Sequence, residues 1–571
     1  MERLWQYAGR HRRRIFWGIA MLLFTNLCTQ TMPLIMRAAI DGIEVGEPTS
    51  YLRSIALALV LVAAASAVFR TLSRKHLFFA ARDVEMDLRS DYYRHLTSLD
   101  GAYFETTPSG ELMSRATNDL PQVRLYLGPG LLNAVNTTVA YVTTIPLMLM
   151  ISPKLTFIIL MVYPPSLWLM QKLGKQLFLR TKVQQKEMGK IASYVQESLA
   201  GSHVIRSFGV EKERQAKFGE LCKANYDASV NLAVSRSFMW RLVISLSTLS
   251  IFIAVFVGAM EIIAGRLTIG DVVAMVEYMG ILAWPTFALG WVMSMRERGR
   301  ASMERINEIL DRVSDIPEGD EELIDGTPAI SVQGLKIGYD QSPVLSDIAF
   351  DVPAGHTLGI VGEIGSGKTT LIKSLMRLLP VQSEMVKIGG RDITNLSLRS
   401  LRSQFGYVAQ ESILFSKPLA QNIAFGEPGA SRNRVIESAE QASLDPNDPS
   451  LPEGLETLVG ERGITLSGGQ KQRSSIARAL LIEPSILILD DALSAVDSET
   501  EEKIIEELRR LRSGKTTVIV AHRVSAVSHA DQILVLGDQG ILERGTHDGL
   551  VAENGTYAQL ANRQALQEGL L

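Results

Sequence analysis

Two stretches of this chain carry residue types suited to binding phosphate and a divalent metal ion. The first is a glycine-rich loop that runs from Gly362 to Thr369. Glycines let successive backbone N–H groups turn inward around phosphate oxygens, where side chains would block the approach. The second is the apolar run Ile486 to Leu489, which ends in two adjacent carboxylates, Asp490 and Asp491. One carboxylate there could bind Mg²⁺, and the other could polarise an attacking water.

The glycine-rich loop has the sequence context that a phosphate-binding P-loop requires. The residues before it, Thr357 to Val361, read as a strand, and Thr370 to Leu379 has the apolar spacing of a helix. The helix would present its N-terminus to the same anion. Lys368 would supply charge to the β- and γ-phosphates, and Thr369 a hydroxyl to Mg²⁺. The residues predicted to bind nucleotide here are Gly362, Glu363, Ile364, Gly365, Ser366, Gly367, Lys368, Thr369 and Thr370.

A third motif, Leu466 to Gln470, lies shortly before the paired carboxylates and begins another predicted helix. Its hydroxyl and backbone amides would form a second anion site at the helix N-terminus. Together the three motifs resemble the nucleotide-binding cassette of ABC transporters, and the resemblance covers essentially the whole chain. The run from Leu489 to Asp497 and the pair His522-Arg523 look like those of multidrug-resistance-like bacterial half-transporters. The third motif, the family's signature, consists of Leu466, Ser467, Gly468, Gly469 and Gln470.

The resemblance implies roles for further residues at matching positions. Tyr339 would stack on adenine, Gln410 would reach Mg²⁺, and His522 would contact the γ-phosphate of ATP. Asp497 would lie in a loop that contacts a second cassette, and the stretch 460–463 would sense the membrane helices. The implied Mg²⁺-binding residues are Thr369, Gln410 and Asp490.

The signature implies a partner. In ABC proteins two cassettes meet head to tail, and each signature closes over the nucleotide bound by the other cassette. This chain has one cassette, so it resembles a half-transporter that pairs with a second one.

Asp491 stands where an active cassette of the family usually has glutamate. Aspartate is one methylene shorter, which retracts the carboxylate by about 1.5 Å. A misplacement of about 1 Å can slow catalysis roughly a hundredfold. His522 is present, so the impairment would rest on Asp491 alone. We therefore expect a nearly silent site here, and an intact signature that completes the competent site of a different partner chain.

Length and composition indicate two dissimilar domains. The chain has 571 residues, more than one core usually supports, and its net charge of -3 gives no reason to expect a nucleic-acid partner. Long apolar stretches dominate as far as Met295, and the remainder reads as a soluble α/β protein. We interpret 1–310 as a transmembrane domain with two long cytoplasmic loops, 311–327 as a linker, and 328–571 as the nucleotide-binding domain.

Six apolar segments are long enough to cross a membrane, which takes about 20 residues. Basic residues flank the first and last segments at Arg10–Arg14 and Arg296–Arg300, so both termini should be cytoplasmic. The first segment is too long for a cleaved signal peptide and reads as a retained span in a bacterial inner membrane. The predicted spans are 15–36, 55–77, 125–151, 155–172, 242–260 and 272–295.

Two connections, 78–124 and 174–241, are too long and polar to be simple turns. We expect them to form helices that project from the bilayer into the cytosol. By resemblance, short coupling helices near Pro108–Arg115 and Val204–Glu211 would dock on the nucleotide domains. The expected fold is therefore an all-α six-helix transmembrane domain of the type I ABC exporter fold, followed by an α/β P-loop nucleotide-binding domain.

Ionisable residues inside spans are costly and point to function or pairing. Arg37 lies at the outer end of the first span, where it could snorkel to the interface or contact substrate. Glu277 lies about two turns inside the sixth span. It could form a structural ion pair with an arginine such as Arg70, or it could face the substrate pathway.

The leading functional prediction is an exporter subunit that uses ATP and Mg²⁺ to move hydrophobic or amphipathic substrates, such as drugs, lipids or peptides, by alternating access. Alternatives left open by the sequence are a homodimer with two slow sites, an importer built on the exporter fold, and a nucleotide-gated channel or regulator. The sequence does not identify the substrate.

Overall fold

The computed structural model describes residues 1–323, 326–339, 342–460, 463, 465–496 and 498–567. Within these ranges it does not describe the side chains at positions 162, 163, 166, 167, 170, 171, 240, 243, 246, 247, 287, 339, 342, 498 and 567. The chain divides into two compact units. Unit 1 comprises 1–96 and 110–311, and unit 2 comprises 97–109 and 312–571.

All regular secondary structure before residue 311 is helical. Two π-helical turns, Arg115–Asp119 and Tyr126–Gly130, interrupt the third long helical stretch. The α-helices are α1 (Glu2–Arg10), α2 (Arg12–Val45), α3 (Thr49–Ser98), α4 (Gly101–Thr106), α5 (Ser109–Ser114), α6 (Leu120–Leu125), α7 (Leu131–Ile151), α8 (Pro153–Ala200), α9 (Ser202–Phe208), α10 (Glu211–Ile263) and α11 (Ile269–Leu310).

Each of the six predicted spans lies within a different long helical stretch. Four of these stretches are long and apolar enough to cross a bilayer: 12–45, 49–98, 109–151 and 269–310. In α10 the described residues form a shorter apolar stretch, Thr248–Ile263. The predicted span at 155–172 lies in α8, where several side chains are outside the described set. Six spans and their orientation therefore remain a prediction.

The centre of unit 1 is an apolar core built from several of its long helices. Met275, Tyr278 and Leu282 of α11 are buried at helical spacing and pack with residues of α7 and α8. The Tyr278 hydroxyl donates to the backbone oxygen of Gln30 on α2 at 3.0 Å. This pairing satisfies a polar group that would otherwise be costly in an apolar environment.

Unit 2 contains two β-sheets. A four-stranded antiparallel sheet has the order β2-β1-β4-β5, and a six-stranded sheet has the order β10-β9-β3-β8-β7-β6. In the larger sheet only β10 is antiparallel to its neighbour. The strands are β1 (Ile330–Tyr339), β2 (Ser342–Val352), β3 (Thr357–Gly362), β4 (Val386–Ile388), β5 (Arg391–Asp392), β6 (Phe405–Val408), β7 (Ile486–Asp490), β8 (Thr516–Val520), β9 (Gln532–Leu536) and β10 (Ile541–Gly545).

The larger sheet sets the position of the predicted site. Strands β7 and β8 are buried along their whole length, as apolar strands of a parallel sheet covered on both faces should be. Parallel strands end at the same edge, so the loops after β3 and β7 come together there. The remaining helices are α12 (Lys368–Leu375), α13 (Leu398–Ser403), α14 (Leu419–Ile423), α15 (Arg432–Gln441), α16 (Gly468–Leu481), α17 (Ser498–Leu511), α18 (His547–Ala552) and α19 (Thr556–Gln567).

Two short helices, α4 and α5, lie beside and within the interval predicted for the first coupling helix. The short helix that belongs to unit 2 is α4, whereas α5, in the predicted interval 108–115, belongs almost wholly to unit 1. Glu105 of α4 forms an ion pair with Lys373 of α12 at 2.7 Å. Asp100 caps α4 by accepting from Tyr103 N at 3.0 Å. Docking of a coupling helix near Pro108–Arg115 on a nucleotide domain therefore remains a prediction.

The second short helix, α9, overlaps the predicted interval Val204–Glu211. It ends at Gly209, whose φ of 65° is the left-handed conformation common after a helix. The side chain of Phe208 is 77% exposed in this chain, and Val204 is also exposed. Docking of α9 on a nucleotide domain remains a prediction.

Candidate nucleotide-binding site

The loop between β3 and α12 has a backbone that requires glycine. Gly365 and Gly367 both have φ of 89°, in the left-handed region that other residues rarely adopt. A Cβ at Gly367 would also lie 2.7 Å from Leu345 Cδ2, and one at Gly362 would overlap the backbone oxygen of Leu536. The loop is thus held in one shape, with its backbone open to a ligand.

Lys368 is buried at the start of α12 and is held by the loop itself. Its ammonium donates to the backbone oxygens of Gly362 at 2.8 Å and Glu363 at 2.7 Å. Burial lowers its pKa, and the negative charges of Asp491 and Asp490 partly offset that effect. The buried Ser366 hydroxyl has no hydrogen-bond partner among the described residues. Both groups are therefore available to phosphate oxygens, which are strong acceptors.

Asp490 ends β7 and is only 1% exposed. Thr369 Oγ1 donates to its Oδ1 at 3.2 Å, and the Tyr407 hydroxyl donates to its Oδ2 at 3.3 Å. Burial raises the pKa of Asp490, although both hydrogen bonds oppose this. Burial and the neighbouring Asp490 also raise the pKa of Tyr407.

The described side chains fit a Mg²⁺ ion held jointly with phosphate rather than by protein alone. No described cluster of three or more His, Cys, Asp or Glu residues could hold a metal ion. Asp490 and Thr369 instead present one carboxylate and one hydroxyl, side by side, at the P-loop. Mg²⁺ commonly binds with one or two carboxylates, substrate phosphates and waters.

Asp491 has an unusual backbone conformation for a residue other than glycine, with φ of 50°. Its N–H donates to Val520 O at 2.9 Å, and its carbonyl accepts from Ser494 Oγ at 2.9 Å. Gln410 Nε2 lies 3.5 Å from Asp491 Oδ2. Among the described residues, the Gln410 side chain therefore faces the carboxylate of Asp491 rather than that of Asp490.

His522 follows β8 and lies near Asp491. Both residues line one cavity of 170 Å³, together with Ser494 and residues of β7 and β8. The backbone oxygen of His522 accepts from Gln564 Nε2 at 2.6 Å. The structure thus brings Asp491 and His522 together at one cavity, and the predicted contact of His522 with the γ-phosphate remains a prediction.

The signature begins α16 with a capping box. Ser467 Oγ accepts from Gln470 N at 3.2 Å, and Gln470 Oε1 accepts from Ser467 N at 2.9 Å. Gln470 Nε2 also donates to Ser450 Oγ at 2.6 Å. Leu466 is buried, while Ser467 and Gly468 are exposed and Gly469 is partly exposed. The amides at the start of this helix are therefore accessible to an anion from outside the chain.

Asp497, Glu461 and Arg462 lie outside the described residues, as does the side chain of Tyr339. Their predicted roles remain predictions.

The two ionisable residues predicted within spans differ in their surroundings. Arg37 Nε lies 2.8 Å from Asp271 Oδ1, so it pairs with the first turn of α11. Glu277 is half-buried, and no described residue forms an ion pair with it. Arg70 is exposed, and the suggested ion pair between Glu277 and Arg70 is not found among the described residues.

Sequence reasoning missed three residues that shape the site. The sequence assigns no role to Tyr407, Gln472 or Ser494. Tyr407 hydrogen-bonds Asp490, and Gln472 Nε2 donates to Ser494 Oγ at 3.1 Å. No sequence signal identifies these contacts, because each joins residues on separate elements.

Comparison with known families identifies both units. Residues 15–286 match the model of the ABC transporter transmembrane region, and residues 345–494 match that of the ABC transporter.

Similar proteins extend over nearly the full chain. The protein named Probable multidrug resistance ABC transporter ATP-binding/permease protein YheI, from Bacillus subtilis, is 37% identical over 96% of this chain and 95% of its own length. The multidrug resistance-like ATP-binding protein MdlA of Escherichia coli is 34% identical over 99% and 96%. The ATP-dependent lipid A-core flippase of Syntrophus aciditrophicus is 31% identical over 99% and 94%.

A solved structure extends the likeness to three dimensions. A bacterial Atm1-family ABC exporter with ATP bound superposes with a TM-score of 0.81 at 28% identity, covering 97% of this chain and 99% of that one. This match confirms the predicted fold class, a helical transmembrane region followed by an α/β nucleotide-binding domain. The chain therefore belongs to the ABC transporter family, and it carries the membrane region and the ATP-binding domain of an exporter in one polypeptide.

Proposed function

We propose that this chain is one half of a heterodimeric ABC exporter in which its own ATP site is slow and its signature completes the fast site of a different partner. The observation that carries the proposal is Asp491. Its backbone is fixed on both sides, by Val520 O and by Ser494 Oγ. The backbone thus has little freedom to advance and make up for the missing methylene, so the carboxylate stays short of an attacking water.

The other site residues have the roles expected of a site that binds ATP. Lys368 exchanges its backbone acceptors for phosphate oxygens, and the loop amides surround them. Thr369, Gln410 and Asp490 hold Mg²⁺, which when bound neutralises phosphate charge and orients the phosphates. His522 lies beside the γ-phosphate position, and the ring of Tyr339 stacks on adenine. Binding is retained in this arrangement while water activation by Asp491 is weak.

Unpartnered surfaces on this chain support a dimer. The first residues of the signature helix are exposed, although the motif suits an anion. Phe208 of α9 is exposed, and so are Ile413 and the stacked rings of Phe415 and Phe425 on unit 2. Exposed apolar side chains of this kind mark surfaces for protein partners. We infer that the second half-transporter covers them, and that Asp497 contacts its cassette.

The membrane unit would carry the cargo. Its long apolar helices place it in the bilayer, and we propose a bacterial inner membrane with both termini cytoplasmic. The multidrug and lipid transporters among its relatives support a hydrophobic or amphipathic cargo. ATP binding closes the cassettes, the cytoplasmic helices relay the closure, and the bundle opens outward.

Glu277 is the proposed polar contact for this cargo. Among the described residues no ion pair to Glu277 is found, and a carboxylate in a span is costly, so it should face an aqueous pathway or a ligand rather than lipid. We expect Glu277→Gln to reduce transport of at least one amphipathic substrate in sealed vesicles while leaving ATP binding intact. Unchanged transport of every substrate tested would remove Glu277 from the pathway.

The decisive experiment restores the missing methylene. We expect Asp491→Glu to raise ATP hydrolysis at this chain's site by about tenfold to a hundredfold, because the carboxylate regains its reach. The assay uses the purified transporter with the partner's catalytic carboxylate neutralised, so that only this site turns over. A typical transporter rate from the unmodified chain alone, with no gain from Asp491→Glu, would contradict a slow site.

Two further measurements separate the alternatives. Co-purification of a different half-transporter supports the heterodimer, whereas an active complex of this chain alone supports a homodimer. Uphill transport in sealed vesicles, coupled to ATP turnover, distinguishes a pump from a nucleotide-gated channel.

A further inference from the structure

The signature helix and the turn after Asp491 are joined by side-chain hydrogen bonds within this chain. Gln472, on the second turn of α16, is only 5% exposed. Its Nε2 donates to Ser494 Oγ at 3.1 Å, and its Oε1 accepts from Ala495 N at 2.9 Å. Ser494 Oγ donates in turn to the backbone oxygen of Asp491 at 2.9 Å. An unbroken path therefore leads from α16 to the backbone of Asp491.

Close packing accompanies these hydrogen bonds. A Cβ at Gly468 would lie 3.4 Å from Ala495 Cβ, and one at Gly469 would lie 3.3 Å from Ala495 O. The first turn of α16 is thus nearly in contact with the turn 494–495. A shift of the helix by a fraction of an ångström would move that turn, because packed interiors transmit strain.

Asp491 depends on such support. Its φ of 50° is unfavourable for a residue with a side chain, and persists only where the surroundings impose it. The backbone constraints are the bond from its N–H to Val520 O and two bonds to its carbonyl, from Ser494 Oγ at 2.9 Å and from Ser494 N at 3.4 Å. The two bonds from Ser494 lead to the signature helix, because Gln472 of α16 holds the Ser494 hydroxyl.

We propose that Gln472 and Ser494 are positioning residues that couple the signature helix to Asp491. The inference rests on the proposed function, in which the signature closes over the partner's nucleotide. The path then has one end at each composite site of the dimer. A nucleotide seated on Ser467 and Gly468 fixes α16, and Gln472 and Ser494 pass this constraint to the carboxylate at the other site.

The first test measures the turn directly, by hydrogen exchange of the backbone amides of 491–496 in the purified transporter. With Ser494→Ala or Gln472→Leu we expect these amides to exchange about fivefold faster, as expected for a lost hydrogen bond. Ser494→Thr keeps the hydroxyl and should restore slow exchange. The matched control is Ser475→Ala, which removes a buried hydroxyl of α16 that has no partner among the described residues. Unchanged exchange in the Ser494→Ala and Gln472→Leu variants would overturn the proposal.

The second test measures hydrolysis at this site, in the Asp491→Glu background with the partner's catalytic carboxylate neutralised. We expect Ser494→Ala and Gln472→Leu each to lower kcat about tenfold with KM unchanged, because the carboxylate is misplaced while ATP still binds. Their combination should be no worse than either alone, since both cut one path. Because Ser494 is exposed, Ser494→Ala remains informative if Gln472→Leu fails to fold. Additive effects of the two substitutions on kcat, or a raised KM with an unchanged kcat, would contradict a positioning role.

A signature variant separates this inference from the proposed function. Gly468→Asp places a negative charge where the partner's phosphate should lie, so it should stop hydrolysis at the partner's site. If it does so while Ser494→Ala leaves this chain's site unchanged, the coupling is refuted and the dimer stands. If Gly468→Asp leaves the partner's site unaffected, the shared-site dimer is refuted, and the coupling with it.

Discussion

At the scale of the single residue, Mg²⁺ binding and burial have opposite effects on the ionisation of Asp490. It must be ionised to bind Mg²⁺, since metal ligands have to be deprotonated. Burial raises its pKa, so the folded chain favours the proton more than the unfolded chain does. The contribution of the Asp490 carboxyl group to the free energy of unfolding therefore falls as pH rises from the usual pKa of this group to its raised pKa. The hydrogen bonds from Thr369 and Tyr407 lower the pKa of Asp490 and so act in the other direction.

Removing one of these donors should shift the pH dependence of ATP hydrolysis. Tyr407→Phe deletes the hydroxyl 3.3 Å from Asp490 Oδ2, so the pKa of Asp490 should rise further. We expect hydrolysis to fall about twofold to fivefold at the acid end of the profile, as for one hydrogen bond, and little at the alkaline end. The measurement is the pH profile at fixed Mg²⁺. Tyr557→Phe is the control, since its hydroxyl contacts His547 Nδ1 at 2.8 Å, on α18. A uniform loss across the profile would argue against the Asp490 explanation.

At the scale of the element, a glycine near the start of α11 permits a close approach of this helix to α2. Gly270 N donates to Asp41 Oδ1 at 3.1 Å, and a Cβ at this position would lie 2.6 Å from Arg37 O. Arg37 also pairs with Asp271, the third residue of α11. The glycine therefore permits a backbone approach that lets both charged contacts form.

We predict that Gly270→Ala destabilises the membrane unit. The methyl group would force α2 and α11 apart, and overpacking of this kind costs about 1–3 kcal/mol. The measurement is the thermal unfolding of the detergent-solubilised chain. Gly290→Ala, on the same helix with nothing within 4 Å of its Cβ, should be neutral or slightly stabilising. Equal effects of the two substitutions would show that helix propensity, rather than the approach of α2, sets the result.

Elements with a local signature were predictable from sequence, and contacts between elements were not. The P-loop was predictable because glycines, Lys368 and the following helix are contiguous. The position of α4 was not, because its cap at Asp100 has no neighbouring pattern that distinguishes it from the turn before α5. The hydrogen bond between Gln472 and Ser494 joins residues 22 apart in sequence, and their proximity depends on how α16 packs beside β7. Arg37 likewise appeared unpaired until α11 supplied Asp271.

For the whole molecule, the path of the chain makes α4 a link between the units. The chain leaves unit 1 after residue 96, forms α4 within unit 2, and returns to unit 1 at residue 110. Asp100 anchors this excursion. Its carboxylate accepts from Tyr103 N at 3.0 Å, from Asp315 N at 2.9 Å and from Ser314 Oγ at 3.2 Å. The Asp100 side chain thus ties the segment that follows residue 311 to the segment that contains α4, within unit 2.

We predict that Asp100→Ala uncouples transport from hydrolysis. It removes the cap of α4, worth about 1 kcal/mol, together with both bonds to the segment after residue 311. The ATP site shares none of these contacts, so hydrolysis should persist while transport per ATP falls severalfold. The measurement is simultaneous ATP turnover and uptake of a fluorescent amphipathic substrate in sealed vesicles. Asp445→Ala removes a similar bond, to Asn447 N at 2.8 Å, within an exposed turn of unit 2, and should leave the ratio unchanged. An unchanged ratio for Asp100→Ala, or equal loss of both activities, would mean that α4 is not held in its coupling position by this carboxylate.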